Sequence, residues 1–366
     1  MTSQVAGAWR GTPVARAGGA VTPADGAVTP AREEVTPAGK AVMPARQVAA
    51  PASRAAAPDL TRRLQLVLAV LWLLDAILQV QAVMFTPDFA RTLGATAHGN
   101  PAVIAAPIAW SARLIEQHAV AADAAFAAVQ LLIGLGIAWR PTVKLALSTS
   151  IAWSLAVWWL GEGLGGLLNG TASPANGAPG AVILYALLAI LLWPRGQDQR
   201  MGCAAAGRIG VRAARLLWLV LWGGLAGLAL APATAAPAAL SNMIAGMSGA
   251  EPAWLARIDR QLAVLLSHRG PAAALALAIL LAVIAVGIYL PEPVVRPVLV
   301  LAILTAAALW LAEGFGGILA GTGTDPNSGP LLCLLALAYW THRRHDPDRS
   351  AAVAAGSAAA AAVSQV

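Results

Sequence analysis

Charged residues are scarce in this chain. Asp, Glu, Lys and Arg make up 11% of its 366 residues, whereas a soluble domain carries about 25%. The formal net charge is +7, but the basic residues flank apolar segments instead of forming one patch, so we expect no nucleic-acid partner. The low charge and the 58% of hydrophobic residues indicate a polytopic membrane protein.

The chain also has few cysteines and none of the usual catalytic or metal-binding motifs. Cys203 lies in a basic loop and Cys333 in an apolar segment, so we predict neither a disulfide nor a metal motif. His98, His118 and His268 have no HxxxH or HExxH spacing. No Gly-rich phosphate loop and no nucleophile elbow occur. We therefore predict no metal site and no catalytic residues, assign no cofactor, and favour a protein that is not an enzyme.

Long apolar runs are the main feature that the sequence does contain. A membrane-spanning helix needs about 20 residues. Eight segments are apolar enough to be considered: 64–84, 119–139, 143–161, 180–193, 214–232, 272–290, 297–313 and 330–341. The fourth and the eighth of them are short. The predicted fold class is an all-α integral membrane protein with about eight transmembrane helices.

Arginine and lysine predict the orientation of these helices. Basic residues flank the first, third, fifth, seventh and eighth segments on one side, which the positive-inside rule assigns to the cytoplasm. The short loops 167–179 and 321–329 contain no Lys or Arg and are predicted to lie outside. Both termini are then cytoplasmic.

The two ends of the chain are predicted to be disordered. Prolines recur every seven residues from Pro23 to Pro58, and proline at this period breaks any helix. We divide the chain into a Pro-periodic tail (1–60), a first membrane repeat (61–195), a basic linker (196–213), a second membrane repeat (214–344) and an Ala-rich tail (345–366).

The division into repeats rests on an internal similarity. "WWLGEGLGG" at 158–166 returns as "LWLAEGFGG" at 309–317, and Glu162 and Glu313 are 151 positions apart. Pro101 and Pro252 have the same offset. Because each copy would contain four spans, both copies would insert in the same direction as parallel repeats. Each copy also contains an amphipathic stretch, at 108–118 and 253–268, which we predict to lie along the outer interface.

The duplicated glutamate has two interpretations. A Glu at the end of a span can simply reach the headgroup water. Alternatively, the Gly-rich run encloses the carboxylate, because backbone of this kind is tolerated at membrane depth only within protein or a wet cavity. Ser154 and Thr305 each lie eight residues before their Glu on the same helix face. We predict that Glu162 and Glu313 face the protein interior beside these hydroxyl groups.

Acidic residues also occur inside the first two predicted spans. Asp75 lies near the middle of the first, with Gln79 one turn later, and Asp123 lies in the second. A carboxyl group at that depth is costly and commonly functional. The alternative is a neutral Asp75 that bonds to Gln79 or to a neighbouring helix and fixes the packing.

The first half contains "LWLLDAILQVQAVMF", "GNPAV" and the run from "WWLGEGLGGLLNG" to "WP", within about 64–194. In these stretches it resembles a group of uncharacterised actinobacterial multi-pass membrane proteins. The four-span unit is also loosely similar to DoxX-like proteins. The resemblance implies a membrane architecture and no established activity.

These observations predict a multi-pass protein of the bacterial plasma membrane. It would handle a small solute, proton or lipid through an outward-facing pocket that contains carboxylates, with a cation as the natural ligand. Two alternatives are a scaffold or accessory subunit and a quinone-linked redox component. The expected partners are the lipid bilayer, a small solute or cation, and a second membrane protein or a further copy of this chain.

Overall fold

The computed structural model describes residues 60–194, 203–247, 251–321 and 323–340. All of them belong to one compact unit, Ala57–Val366. The predicted disordered tails lie outside the described residues, as does most of the basic linker. The helices are α1 Leu60–Gln79, α2 Pro87–Ala95, α3 Ala102–Gln117, α4 Ala119–Ala138, α5 Val143–Leu160, α6 Ala181–Leu191, α7 Gly210–Ala229, α8 Pro232–Ala235, α9 Ala239–Met247, α10 Ala253–Leu266, α11 Gly270–Gly287, α12 Glu292–Ala312 and α13 Ser328–Ala338.

The described part of the chain is helical, without strands, and five of its segments are long and apolar enough to cross a membrane. They are Ala119–Ala138, Arg140–Leu160, Gly210–Ala229, Gly270–Gly287 and Glu292–Ala312. Their outer faces expose large apolar side chains, among them Leu132, Leu145, Val220, Ile279 and Leu304. Such faces need an apolar surrounding, so the structure is consistent with a membrane protein.

The other three predicted spans are less clear. α1 has 20 residues, but Arg62, Arg63 and Asp75 lie within it. α6 and α13 have 11 residues each, about 17 Å at 1.5 Å per residue, against a hydrocarbon core of about 30 Å. The prediction of eight spans is therefore confirmed only as an all-helical chain with five helices of spanning length.

Several helix boundaries differ from the predicted ones. α1 ends at Gln79 instead of residue 84, because the chain then forms a 3₁₀ turn at Ala82–Phe85 and reaches Pro87. α12 begins at Glu292 instead of residue 297. Pro293 fits the first turn of a helix, where backbone N–H groups have no partner within the helix, and so allows this earlier start.

The two short helices form the centre of the packing. α5 packs on α6, and α12 packs on α13, while α6 and α13 contact each other. α1 packs mainly on α4, and α7 packs mainly on α11. Large aromatic side chains fill the contacts: the Trp72 and Tyr185 rings are 4.3 Å apart, and those of Trp218 and Tyr339 are 4.8 Å apart.

The segments before α4 and α11 contain more helix than the sequence predicted. α3 begins six residues before the expected 108, at Ala102, and α10 covers most of 253–268. α2 and α9, of nine residues each, were not predicted, since their apolar periodicity extends over little more than two turns. Trp110 and Trp254 are 59% and 53% exposed, as side chains that anchor a helix at an interface would be.

Candidate functional site

Glu162 and Glu313 occupy equivalent places at the ends of α5 and α12. Each is followed by a one-turn 3₁₀ helix, Gly163–Gly166 or Gly314–Gly317. The backbone enters the left-handed region at matching positions, with φ/ψ of 60°/32° at Leu164 and 55°/32° at Phe315. A non-glycine residue in this region costs free energy and persists only where its surroundings hold it. The same strained turn thus reverses the chain after both glutamates.

Each glutamate carboxyl group contacts the beginning of the short helix that follows it. Glu162 Oε1 accepts a hydrogen bond from the backbone N–H of Val182 in α6, at 3.2 Å. Glu313 is 0% exposed, and its two oxygens accept from the Ser328 hydroxyl, the first residue of α13, at 3.0 and 3.3 Å. The positive end of a helix dipole favours a negative group at this place. Both side chains lie within the protein, in the orientation that the sequence predicted.

The two loops after these turns contact the other half of the chain. The backbone N–H of Gly177, in the loop before α6, lies near the Glu313 carboxyl group. Gln81 Nε2 donates to the carbonyl oxygen of Gly323 at 2.9 Å. The Thr234 hydroxyl donates to Ser173 Oγ at 2.7 Å. Gly177 also lies beside the Asn327 side chain, so residues 173–177 and 323–327 are neighbours at the beginning of α6 and α13.

Asp325 is a half-buried acidic residue that the sequence analysis missed. Its carboxyl oxygens accept from the backbone N–H of Asn327 at 2.7 Å and from the Thr324 hydroxyl at 3.1 Å. Burial raises the pKa of Asp325 above its ordinary value. The carboxyl group is close enough to interact electrostatically with those of Asp75, Glu162 and Glu313. The sequence signal for Asp325 was a "TDPN" turn in a loop without basic residues.

Asp75 is 2% exposed, and its Oδ1 atom has no hydrogen-bond partner among the described residues. Its carboxyl group lies beside the Tyr185 hydroxyl of α6. A hydrogen bond between Asp75 and Gln79, one of the alternatives left open for Asp75, is not formed: Gln79 Nε2 instead donates to Asp123 Oδ1 at 3.0 Å and joins α1 to α4. Positions 75 and 79 are one helical turn apart, but α4 offers Gln79 a better-placed acceptor than its own helix does.

The predicted hydroxyl residues are buried in α5 and α12. Ser154 is 0% exposed and its Oγ atom has no partner among the described residues. Thr305 is 5% exposed. One turn before Ser154, the Ser150 hydroxyl accepts from Trp72 Nε1 at 3.2 Å, so it joins α5 to α1.

The cluster of Asp75, Glu162, Glu313 and Asp325 has no basic partner in the part of the chain that the structure describes. The ion pairs found there join Arg91 to Asp88 and Glu116, on exposed surface. An unpaired buried carboxylate is costly, and a proton or a bound cation removes that cost. The cluster is therefore suited chemically to proton or cation binding. No group of three or more His, Cys, Asp or Glu side chains placed to hold a metal ion occurs among the described residues.

A cavity elsewhere in the protein has no connection with the cluster. It lies at the beginning of α12, and 21 residues separate Glu292 from Glu313, about 32 Å along the helix. Its lining includes Cys203, Val211, Arg215, Ile288, Glu292 and Tyr339. None of the residues proposed from the sequence lines it.

Comparison with known protein-family models, with curated proteins and with solved structures gives no match to this chain. The resemblance to actinobacterial membrane proteins, and the looser one to DoxX-like proteins, therefore stays a prediction.

Proposed function

We propose that this chain is an eight-span protein of the bacterial plasma membrane that binds and passes a proton or a small cation. The binding residues would be Asp75, Glu162, Glu313 and Asp325, with Tyr185 beside Asp75. The observation that carries the proposal is the Asp75 carboxyl group, which is almost completely buried and has an oxygen without a described partner. It interacts electrostatically with Asp325, whose carboxyl group also interacts with those of Glu162 and Glu313. Entry would be from the outer side, past the connected loops.

The architecture that we propose is a pair of parallel four-helix repeats. Its support is the recurrence of elements at a nearly constant offset. α4 and α11 begin 151 positions apart, at 119 and 270, and so do the turns after Glu162 and Glu313, at 163 and 314. α6 and α13 complete the two copies and contact each other. Both carboxyl groups would then lie at the same depth, near the axis that relates the copies.

Proton or cation movement can be measured on purified protein in liposomes that contain a pH-sensitive dye. Under an imposed membrane potential, we expect the wild type to change the pH of the lumen, in the direction set by the sign of the potential. A protein that couples protons to another cation would do so only when that cation is added. Asp75→Asn should abolish this signal because it removes the carboxyl group that binds the proton or cation. Asp88→Asn is the control, since Asp88 is 72% exposed and pairs with Arg91 on the surface. A wild type indistinguishable from empty liposomes with every cation tested would overturn the proposal.

A non-transporting scaffold is the second candidate, and one observation favours it. The contacts of Glu162 with Val182 and of Glu313 with Ser328 hold the two short helices in place, a structural role that needs no cargo. This alternative predicts that the Glu162→Gln, Glu313→Gln double variant remains functional in cells. It also predicts that a stoichiometric membrane-protein partner co-purifies with the chain. No observation on the described residues favours the quinone-linked redox alternative.

A further inference from the structure

A second, separate acidic contact lies at the beginning of α10. Asp259, on the inner face of α10, is 0% exposed, and Glu251 directly precedes the Pro252 N-cap of the same helix. The two carboxyl groups are within hydrogen-bonding distance of each other. All four of their oxygens are buried, and none has a hydrogen-bond partner among the described residues. Two carboxylates this close cannot both ionise without strong repulsion.

The backbone of the facing turn lies against this pair, and no basic side chain among the described residues forms an ion pair with it. The Gly314 backbone passes so close to Glu251 that a Cβ at Gly314 would collide with Oε1. Arg257 and Arg260 belong to α10 itself, but they are exposed and pair with neither carboxyl group in the described residues. α9, which packs on α10, has no titratable side chain. Glu313 is the titratable residue next to Gly314 on the facing turn.

The first half of the chain shows that the fold does not need an acid at these places. The positions 151 residues earlier are Asn100 and Ile108. Asn100 Nδ2 donates to the carbonyl oxygen of Thr96 at 2.8 Å and faces Gly163, as Glu251 faces Gly314. Ile108 is fully buried. An amide and an alkyl group are thus sufficient for the packing. The carboxyl pair gives the second half a site that can bind a proton, which the first half lacks at these positions.

We propose that Glu251 and Asp259 share one proton and form a pH-dependent clasp that holds the beginning of α10 against the turn at Gly314. Burial, with a further contribution from the adjacent Asp259, raises the pKa of Glu251 to about 7. Below that pH the shared proton joins the two side chains by a hydrogen bond. Above it, Glu251 is charged and no longer donates this hydrogen bond, and α10 loosens from the turn that carries Glu313. This inference does not depend on ion transport by the interior cluster.

Infrared spectroscopy of the full chain in lipid nanodiscs tests the shared proton directly. A component of the band of protonated carboxyl groups, separate from that of the interior cluster, should disappear with a midpoint near pH 7 in the wild type. It should be missing in Glu251→Asn, which copies the first half, and in the shape-conserving Glu251→Gln. It should remain in Glu116→Gln, because Glu116 is a half-exposed residue of α3. Asp259→Asn should remove the same band, since the proton belongs to the pair.

Hydrogen exchange tests the clasp itself. After correction for the intrinsic pH dependence of exchange, amides of 253–260 should exchange roughly tenfold faster above the midpoint than below it, the effect of about one pKa unit of coupling. Glu251→Gln should show the same corrected rate at both values of pH. The inference is wrong if the Glu251 variants leave the wild-type band unchanged, or if exchange of α10 is independent of pH. It is also wrong if millimolar Ca²⁺ or Mg²⁺ removes the carboxyl band below pH 7, because the pair would then bind a metal ion instead of a proton.

Discussion

At the scale of single residues, Gly180 allows the backbone before α6 to pass directly against the Glu162 carboxyl group. Its φ is +110°, and a Cβ at this position would collide with Glu162 Oε2. Gly180→Ala should therefore lower the free energy of unfolding by about 1–3 kcal/mol. Gly224→Ala is the matched control, because no heavy atom lies within 4 Å of its added Cβ and alanine favours a helix by about 1 kcal/mol. Thermal unfolding in mild detergent measures both, and equal melting temperatures would contradict the close approach.

At the scale of elements, α6 depends on a capping group that lies 20 positions away. The Val182 N–H belongs to the first turn of α6, where no carbonyl of the helix can accept it, and Glu162 accepts it instead. Glu162→Ala should cost about 0.5–2 kcal/mol, the range for a lost N-cap. Glu162→Gln should cost less, since its amide oxygen still accepts. Hydrogen exchange of 181–185 measures the effect, with the exposed Glu116→Ala as control, and unchanged protection in Glu162→Ala would show that the cap is dispensable.

At the scale of the whole molecule, the proposed topology separates residues 167–179 from residues 203–212 by the membrane. Both Thr171 and Arg212 are exposed, so each can be replaced by cysteine after Cys203 and Cys333 are changed to serine. A membrane-impermeant thiol reagent should label Thr171→Cys in intact cells and Arg212→Cys only after permeabilisation. Labelling of both from the same side would mean that α6 does not cross the membrane. The first half would then have an odd number of crossings, which excludes parallel repeats.

The sequence predicted the long helices well and the short ones poorly. α4 and α5 begin at 119 and 143, as expected, and each ends one residue early, because a long apolar run is a local signal that needs no partner. α2 and α9 were missed, since nine residues contain too few apolar positions to show a period. The beginning of α12 was misplaced because Pro297 marks a helix start in most sequences but lies inside the helix here.

The sequence identified the two glutamates of the candidate site but missed the residues close to them. Glu162 and Glu313 were recognisable because the same run of nine residues occurs twice. Asp325 and Tyr185 were not, because an acid in a polar loop and a tyrosine in an apolar helix resemble ordinary residues of their segments. The Glu251–Asp259 contact was hidden for the same reason: Arg257 and Arg260 make α10 look like an exposed, charge-balanced helix.

By itself, the sequence determined that the chain is apolar and helical, that its longest helices suit a membrane, and that one motif occurs in both halves. These properties follow from composition and from periodicity within a segment, and both act locally along the chain. Only the tertiary structure decided that Gln79 bonds to Asp123, that Asp325 lies near Asp75, and that Gly177 reaches Glu313. Such contacts join residues 44 to 250 positions apart, and they depend on which helix faces pack together, for which a single sequence contains no local signal.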